Sequence, residues 1–233
     1  MNNRFEIKYL TDIYHANSIL NDLRHMMRFD KYSNGNKGYY VNSLYFDSHN
    51  FRDYHQVING ELRRKKIRFR KYSKKDKNIF FEVKHKHNRT IKKDRTVLSV
   101  DKYKELINDY HSDSNDNIIE KYKYDIIKYG YNPVVTIGYN RLALESIVGN
   151  IRLTFDRNIR CGDKHMFDDW VSEKNKRVLF PGIVIIEIKF ENKIPFWLKK
   201  ILQDNQLMPT PYSKYVNSID SFYNRKFIFE EYS

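Results

Sequence analysis

The stretch ELRRKKIRFRKY, residues Glu61–Tyr72, follows the turn signal Asn59-Gly60 and decides how the rest of the chain is interpreted. Side chains of a β-strand alternate between two faces. One face of this strand would carry only cations, namely Arg64, Lys66, Arg68 and Arg70. The other would carry Ile67 and Phe69 between Lys65 and Lys71. The pattern predicts a strand with a cationic face and a more apolar reverse face.

A Glu-x-Lys triplet recurs in three other β-like runs. These runs are RFEIKY (Arg4–Tyr9), FFEVKH (Phe80–His85) and IEIKF (Ile186–Phe190). In each run the Glu and the Lys share one face, while apolar residues occupy the reverse face. The run IRLTFD (Ile151–Asp156) has the same alternation of polar and apolar side chains. Charged faces therefore recur on at least five predicted strands.

The order of elements predicts an α+β fold with a mainly antiparallel sheet, because most strand pairs are joined too tightly for parallel crossovers. Eight strands are expected: Asn3–Leu10, Gly38–Asp47, Glu61–Tyr72, Asn78–Lys86, Arg95–Val100, Val134–Leu144, Asn150–Asp156 and Ile183–Glu191. The expected helices are Thr11–Phe29, Asp101–Tyr110, Ile118–Tyr129, Pro195–Asp204 and Lys214–Asn224. No Pro/Gly/Ser-rich linker divides the sequence, which predicts one domain over residues 1–233.

The overall charge indicates an anionic partner. The 233 residues include 43 Lys and Arg against 29 Asp and Glu, a formal net charge of +14. Such an excess favours polyanions, but does not identify one. The single cysteine, Cys161, excludes an internal disulfide. Without a signal-like leader or an apolar run of about 18 residues, the expected location is the cytoplasm, with membrane association only through a partner protein.

The charged faces have two interpretations. On an ordinary half-buried sheet they would be solvated. If the strands instead curl into a closed barrel of about eight strands, the cations converge in a bore. The cations that line such a bore repel one another unless a multiply charged anion occupies it. Glu residues among the cations can bind a divalent metal. Metal and cations acting on phosphoryl oxygens are typical of phosphoryl transfer.

A series of motifs in this order resembles the VTC-type polyphosphate polymerase domain, a member of the triphosphate tunnel metalloenzymes related to the CYTH group. The motifs are Arg4-x-Glu6-x-Lys8-Tyr9, SLYFD at Ser43–Asp47, Lys66-x-Arg68-x-Arg70-x-Tyr72, Glu82-x-Lys84, YNR at Tyr139–Arg141, IRLTFD at Ile151–Asp156, IEIK at Ile186–Lys189 and SKY at Ser213–Tyr215. They extend over nearly the whole chain.

The resemblance implies a tunnel of eight antiparallel strands with a charged interior, surrounded by helices. It also implies an ATP:polyphosphate phosphotransferase, which adds the terminal phosphoryl group of ATP to a growing polyphosphate or pyrophosphate acceptor with Mn²⁺ or Mg²⁺. The implied catalytic and phosphate-binding residues are Lys8, Arg68, Arg70, Lys84, Arg141, Arg152 and Lys214, with Glu187 as a catalytic metal ligand. Lys189, Ser213 and Lys93 complete the substrate-binding set, Lys93 being preferred over Lys92 and Arg95.

Two alternatives stay open at this point. A triphosphatase of the same fold would use the same cationic residues with water as the acceptor. The CYTH-type Glu-x-Glu-x-Lys has Arg4 in place of its first glutamate here, which favours the polymerase. A non-catalytic polyanion-binding module is the second alternative. Nucleic acid is not the expected partner, because the aromatic residues lie mainly opposite the cations and not among them.

Overall fold

A computed structural model describes residues 4–33, 35–73, 76–88, 90–109, 114, 116–148, 150–167, 177–179 and 181–223. In these residues the strands are β1 (Arg4–Asp12), β2 (Met27–Phe29), β3 (Tyr39–Asp47), β4 (Arg63–Lys71), β5 (Asn78–His87), β6 (Thr90–Ser99), β7 (Asn132–Ser146), β8 (Arg152–Gly162), β9 (Arg177–Val178) and β10 (Ile183–Glu191). The helices are α1 (Ile13–Leu23), α2 (Arg52–Ile58), α3 (Val100–Asn108), α4 (Asn117–Lys128), α5 (Phe196–Asp204) and α6 (Lys214–Phe222).

The chain folds into two compact units. The first comprises residues 1–40, 139–159 and 178–213, and the second comprises residues 41–138, 160–177 and 214–233. Strands β3, β7 and β8 contribute residues to both. The prediction of one domain over residues 1–233 stays a prediction.

In the first unit the strand order is β1-β10-β8-β7, and β2 pairs with β7. The β1–β10 and β10–β8 pairs are antiparallel. The apolar faces of these strands, including Ile186, Ile188 and Leu153, pack with residues of α1 and α5 in one core cluster. Helix α1 begins after Asp12, whose carboxylate accepts the N–H groups of Tyr14 and His15. The apolar stripe of the sequence is thus buried, and the charged residues lie on the opposite face.

In the second unit the strand order is β7-β3-β4-β5-β6, with antiparallel pairing from β3 through β6. Ile67 and Phe69 of β4 pack in a core cluster with residues of α3 and α4. At the end of β3, the Asp47 carboxylate accepts the N–H groups of Ser48, Asp53 and Tyr54. This carboxylate satisfies the free N–H groups at the start of α2.

The α+β class and the antiparallel pairing are confirmed, while the barrel differs from the prediction in two respects. The described residues form ten strands, because β2 and β9 add short pairings to β7 and β8. The hydrogen-bonded path of the first unit ends at β1, and that of the second ends at β6. Closure of the strands into a barrel is therefore not shown by the described pairings.

Two predicted elements also need correction, and one helix was not predicted. The helix predicted over Thr11–Phe29 ends at Leu23, because Met27–Phe29 pairs as β2 with β7. The strand predicted over Arg95–Val100 begins at Thr90, and Ser99 caps α3 by accepting the N–H of Lys102. Helix α2 was not predicted, since its short sequence has no apolar stripe. Asn224, the predicted end of the last helix, lies outside the described residues.

A helix can cross a lipid bilayer only if it is long and apolar enough. Within the described part of the chain, each helix is too short or too polar to cross a lipid bilayer.

Gly38 provides a test of the packing in the first unit. It has φ of +65°, and a Cβ built on it would lie 2.2 Å from the carbonyl oxygen of Arg141 in β7. We expect Gly38→Ala to lower the free energy of unfolding by more than about 2 kcal/mol, because left-handed strain adds to a backbone clash. Chemical denaturation measures the change.

The matched control is Gly130→Ala. Gly130 also has positive φ, but nothing lies within 4 Å of the position that a Cβ would occupy there. That variant should lose only about 1 kcal/mol. Equal losses in both variants would contradict a clash specific to Gly38.

Candidate functional site

A cluster around Glu82 lies on the charged face of the second unit. Register brings its members together: Arg68 of β4 pairs with Tyr45 of β3 and with Glu82 of β5, and Glu82 pairs with Arg95 of β6. Side chains at paired positions of an antiparallel ladder lie on the same face. The prediction that the charged side chains of Arg68 and Glu82 lie on one face of the sheet is therefore confirmed by the pairing.

Four cations surround the Glu82 carboxylate, which we call the Glu82 cluster. Arg68 approaches one oxygen at 2.7 Å through Nη2, and Arg70 Nη1 lies 3.6 Å from the same oxygen. Lys93 donates a short hydrogen bond to the other oxygen, and Arg95 Nε is 3.4 Å from it. With one carboxylate among four cations, the cluster has a surplus of three positive charges.

The Glu82 carboxylate and Arg70 are withdrawn from water, Arg68 is half-buried, and Lys93 and Arg95 are exposed. Glu82 is 1% exposed and Arg70 is 5% exposed. Burial alone would raise the pKa of Glu82, but the charges of Arg68, Arg70 and Lys93 hold that pKa far below its ordinary value. For Lys93, burial and the repulsion of the two arginines outweigh Glu82 and lower its pKa to about 8. A solvated sheet face would not produce these shifts.

Lys93 of this cluster is also one of three lysines that occupy neighbouring positions on three strands. Lys66 of β4 pairs with Lys84 of β5, and Lys84 pairs with Lys93 of β6. Like charges at directly opposite positions destabilise a sheet. The register thus extends the cationic surface of the Glu82 cluster and places Lys84 within it.

Neighbouring polar groups fix the two arginines of β4. Arg68 Nη1 donates to the Tyr45 hydroxyl at 2.7 Å, and Arg70 Nε donates to Ser43 Oγ at 3.0 Å. Burial would raise the pKa of Tyr45, but Arg68 and Arg70, with Lys214 of α6, lower it. Sequence analysis noted the SLYFD motif without giving Ser43 or Tyr45 this role.

The first unit carries a second charged group, which we call the Glu187 cluster. Lys8 of β1 pairs with Glu187 of β10, and Glu6 pairs with Lys189. Lys189 Nζ lies 2.6 Å from Glu187 and 3.8 Å from Glu6, while Lys8 Nζ lies 3.5 Å from Glu6. Lys8 also donates to the carbonyl of Tyr212 at 2.9 Å. Two lysines balance two carboxylates, unlike the surplus around Glu82.

The Glu187 cluster has the donor types that a divalent cation uses. Glu187 pairs with Thr154 of β8, and the buried Thr154 hydroxyl has no hydrogen-bond partner in the described part of the chain. Carboxylate and hydroxyl oxygens suit Mg²⁺ or Mn²⁺. No group of three or more His, Cys, Asp or Glu suited to a metal occurs among the described residues. The donors therefore fit a metal that takes its other ligands from phosphate and water.

Two more predicted arginines of the first unit are held by carboxylates. Arg141 of β7 makes a bidentate pair with Asp156 of β8, at 2.6 and 2.7 Å. Arg152 of β8 donates to Asp30 and to Glu145. Each of these two arginines thus has a carboxylate of its own, whereas four cations converge on the one carboxylate of Glu82. Asp30 lies 122 residues from Arg152 in the chain, and sequence analysis did not identify it.

The last two predicted residues lie at the start of α6. Lys214 is the first residue of this helix, and Ser213 directly precedes it. Tyr215, the next residue, donates to the buried Asp47 and stacks on Tyr45 at 5.4 Å. Tyr215 of the SKY motif therefore packs against β3, the strand whose Tyr45 accepts a hydrogen bond from Arg68.

Comparison with solved structures supports this fold. The chain is similar to a protein from Bacillus halodurans named a candidate adenylate cyclase, with 17% identity, a TM-score of 0.58, and coverage of 96% of this chain and 98% of that one. A protein from Pyrococcus horikoshii OT3 aligns with 15% identity, a TM-score of 0.49, and coverage of 94% and 99%. At such identities the first likeness shows a shared tunnel-type fold and nothing about activity.

The sequence itself identifies the family. The model of the VTC domain matches residues 3–223, and the chain belongs to the VTC domain family. This is a domain of the triphosphate tunnel type, and tunnel proteins of this kind generally use divalent metal ions. No curated protein sequence matches the chain.

Removal of the central carboxylate tests the role of the Glu82 cluster. We expect Glu82→Gln to lower the free energy of unfolding by about 3 kcal/mol in phosphate-free buffer, because it removes the carboxylate that the buried Arg70 and the half-buried Arg68 contact. Tripolyphosphate should raise the melting temperature of this variant more than that of the wild type. Glu105→Gln removes an exposed carboxylate of α3 and is the control. An unchanged melting temperature in Glu82→Gln would contradict the role.

Lys93 predicts a pH dependence of anion binding. With a pKa of about 8, free Lys93 loses its charge as the pH rises through that value, and a bound anion favours the protonated form. The affinity for metal-free tripolyphosphate should therefore fall several-fold more above pH 8 in the wild type than in Lys93→Arg, whose charge does not titrate. Calorimetric titration at a series of pH values measures this, and parallel profiles would refute it.

Proposed function

We propose that the chain is a metal-dependent polyphosphate polymerase acting in a basic tunnel, as the polymerase branch of its family does. The single observation that supports this most is the surplus of three positive charges around the buried Glu82 carboxylate. Cations that repel one another are stabilised where a phosphate chain binds and neutralises them. Membership of the VTC domain family supports the same substrate class.

In this proposal the cations of the Glu82 cluster bind the phosphoryl oxygens of ATP and of the acceptor. Arg68 and Arg70 have planar donor groups that match phosphate, and each is already oriented by Tyr45 or Ser43. Lys84 and Lys93 add point charges beside them. Glu82 keeps the two arginines in place when no phosphate is bound, so little reorganisation is needed on binding.

The reaction needs stabilisation of charge more than covalent chemistry from the protein. The bond between the β–γ bridging oxygen and the γ-phosphorus of ATP breaks, and a terminal oxygen of the acceptor chain bonds to that phosphorus, releasing ADP. Lys8, Lys189, Arg141, Arg152, Ser213 and Lys214 complete the proposed substrate-binding set. Arg141 and Arg152 act as positioned cations because carboxylates already fix their orientation.

Glu187 is the proposed ligand of the divalent metal. When bound, Mg²⁺ or Mn²⁺ neutralises charge on the transferred phosphoryl group. Glu187 contributes a carboxylate at a buried position, and Lys189 holds that carboxylate at 2.6 Å. Which metal is used, the cytoplasmic location and any membrane partner stay predictions.

Incubation of the purified chain with ATP and either Mn²⁺ or Mg²⁺ tests the proposal. We expect a ladder of polyphosphate on a stained gel, and at least a tenfold lower rate for Arg68→Ala, since one hydrogen bond to a charged group contributes about 1.5–3 kcal/mol. Glu187→Gln should keep the fold and anion binding, but lose most metal-dependent turnover.

Different outcomes separate the alternatives. Free phosphate without a ladder would mean hydrolysis, and neither product would leave a polyanion-binding module. If Glu187→Gln has an unchanged rate and an unchanged dependence on metal concentration, Glu187 is not the metal ligand. Glu191→Gln, at the half-buried C-terminal end of the same strand, is the matched control.

A further inference from the structure

A second cationic cavity lies in the second unit, where α2 and α4 meet the ends of β4 and β5. Its volume is about 360 Å³, and we call it the α2 pocket. Its lining includes Arg52, Asp53, Arg63, Lys65, Tyr129 and Tyr131. Arg63 and Lys65 alternate with Arg64 and Lys66 along β4, so they share the face of Ile67 and not that of Arg68. No residue of the Glu82 cluster lines the pocket, so the two sites are distinct.

The lining of the α2 pocket is predominantly positive. The cations are Arg52, Arg63, Arg64, Lys65 and Lys86, and the carboxylates are Asp53 and Asp125. Asp125 is paired with Lys65 at 2.7 Å. The remaining cations outnumber the one other carboxylate, which predicts an anionic occupant.

Two of the cations are held in place by aromatic rings. The Arg52 guanidinium lies 4.0 Å from the ring centroid of Tyr129, and Lys65 Nζ lies 4.8 Å from that of Tyr131. Cation–π contacts fix the charged groups without neutralising them. Because these groups are already ordered, less entropy is lost when an anion binds.

Asp53 adds a polar atom that the fold leaves without a partner. Its side chain is 1% exposed, and Tyr131 donates to Oδ1 at 2.6 Å. Asp53 Oδ2 is buried and has no hydrogen-bond partner in the described residues. A buried polar atom without a partner is costly, so its place in the pocket lining points to a ligand.

The protonation of Asp53 determines what that ligand must offer. Burial, and then the nearby Asp47, raise the pKa of Asp53 to about 7, against the opposing effects of Tyr131, Lys65 and Arg52. On α6, which packs against α2, Tyr215 contacts Asp47 and Asp220 accepts from Tyr54. Near neutral pH, Asp53 can therefore carry a proton, and its O–H needs an acceptor oxygen.

We propose that the α2 pocket is a second binding site, for a small ligand with a diphosphate group. Phosphoryl oxygens satisfy both requirements, since they accept from the Asp53 O–H and pair with Arg52 and Arg63. The cavity accommodates two phosphoryl groups, free as pyrophosphate or esterified as in a nucleoside diphosphate. This site is independent of the proposed polymerase activity, because it uses none of the residues assigned to that reaction.

Calorimetric titration with inorganic pyrophosphate and no metal tests the proposal, in an Arg68→Ala/Arg70→Ala background that weakens the Glu82 cluster. Adding Arg52→Gln and Arg63→Gln should lower the remaining affinity at least tenfold. At pH 8, Asp53→Asn in the same background should bind as tightly as that background or more tightly, because its amide donates in place of the O–H. ADP as a second probe distinguishes the sources, and tighter binding of ADP would assign the site to a nucleotide.

The matched control is Lys199→Gln/Lys200→Gln in the same background, which removes two exposed cations of α5 in the other unit. An equal loss of affinity in this control would overturn the proposal, because it would reflect net charge alone. An unchanged affinity in the Arg52→Gln/Arg63→Gln variant would also overturn it. Weaker binding by Asp53→Asn would exclude Asp53 as the donor. None of these outcomes depends on polyphosphate synthesis, which is measured separately.

Discussion

Repulsion among the cations that surround the buried Glu82 carboxylate is the constraint on which the structure depends. Four cations of β4 and β6 converge on one carboxylate, and Lys66, Lys84 and Lys93 occupy neighbouring positions on three strands. Such an arrangement costs free energy in the absence of an anion. The fold tolerates the cost because the reverse face of the same strands forms an apolar core with α3 and α4. Packing on one face of the sheet thus permits repulsion on the other.

Acidic side chains from distant segments limit this repulsion in each unit. Glu82 acts in the second unit, and Asp156 and Asp30 hold Arg141 and Arg152 in the first. Breaking such buried pairs is strongly destabilising, because it leaves one charge without a partner. The carboxylates therefore both stabilise the free protein and keep the cations oriented toward a single geometry. A binding surface of flexible, solvated lysines would have to be ordered anew by each ligand.

The sequence predicted the faces of the strands well, because side-chain alternation is a local property. The sheet face on which Arg68, Glu82 and Glu187 lie could be assigned from their immediate neighbours, and the pairing agrees with that assignment. Partners from distant segments could not be assigned, since register between strands is set by packing and turns. Asp30 and the pairing of Tyr45 with Arg68 are examples. Met27 was placed in a helix for a similar reason, since its pairing with β7 overrides a local helical period.

The two Glu-x-Lys triplets with buried glutamates differ in their charge balance, and this difference supports the separate roles proposed for them. Around Glu82 the surplus of cations would repel a divalent metal, and both carboxylate oxygens already have close cationic partners. Around Glu187 two lysines balance two carboxylates, and the Thr154 hydroxyl beside it has no partner among the described residues. A metal carried by a phosphate chain meets less repulsion there. Two Glu-x-Lys triplets of one chain can thus suit ligands of opposite charge, because the neighbouring strands, and not the motif, set the local charge.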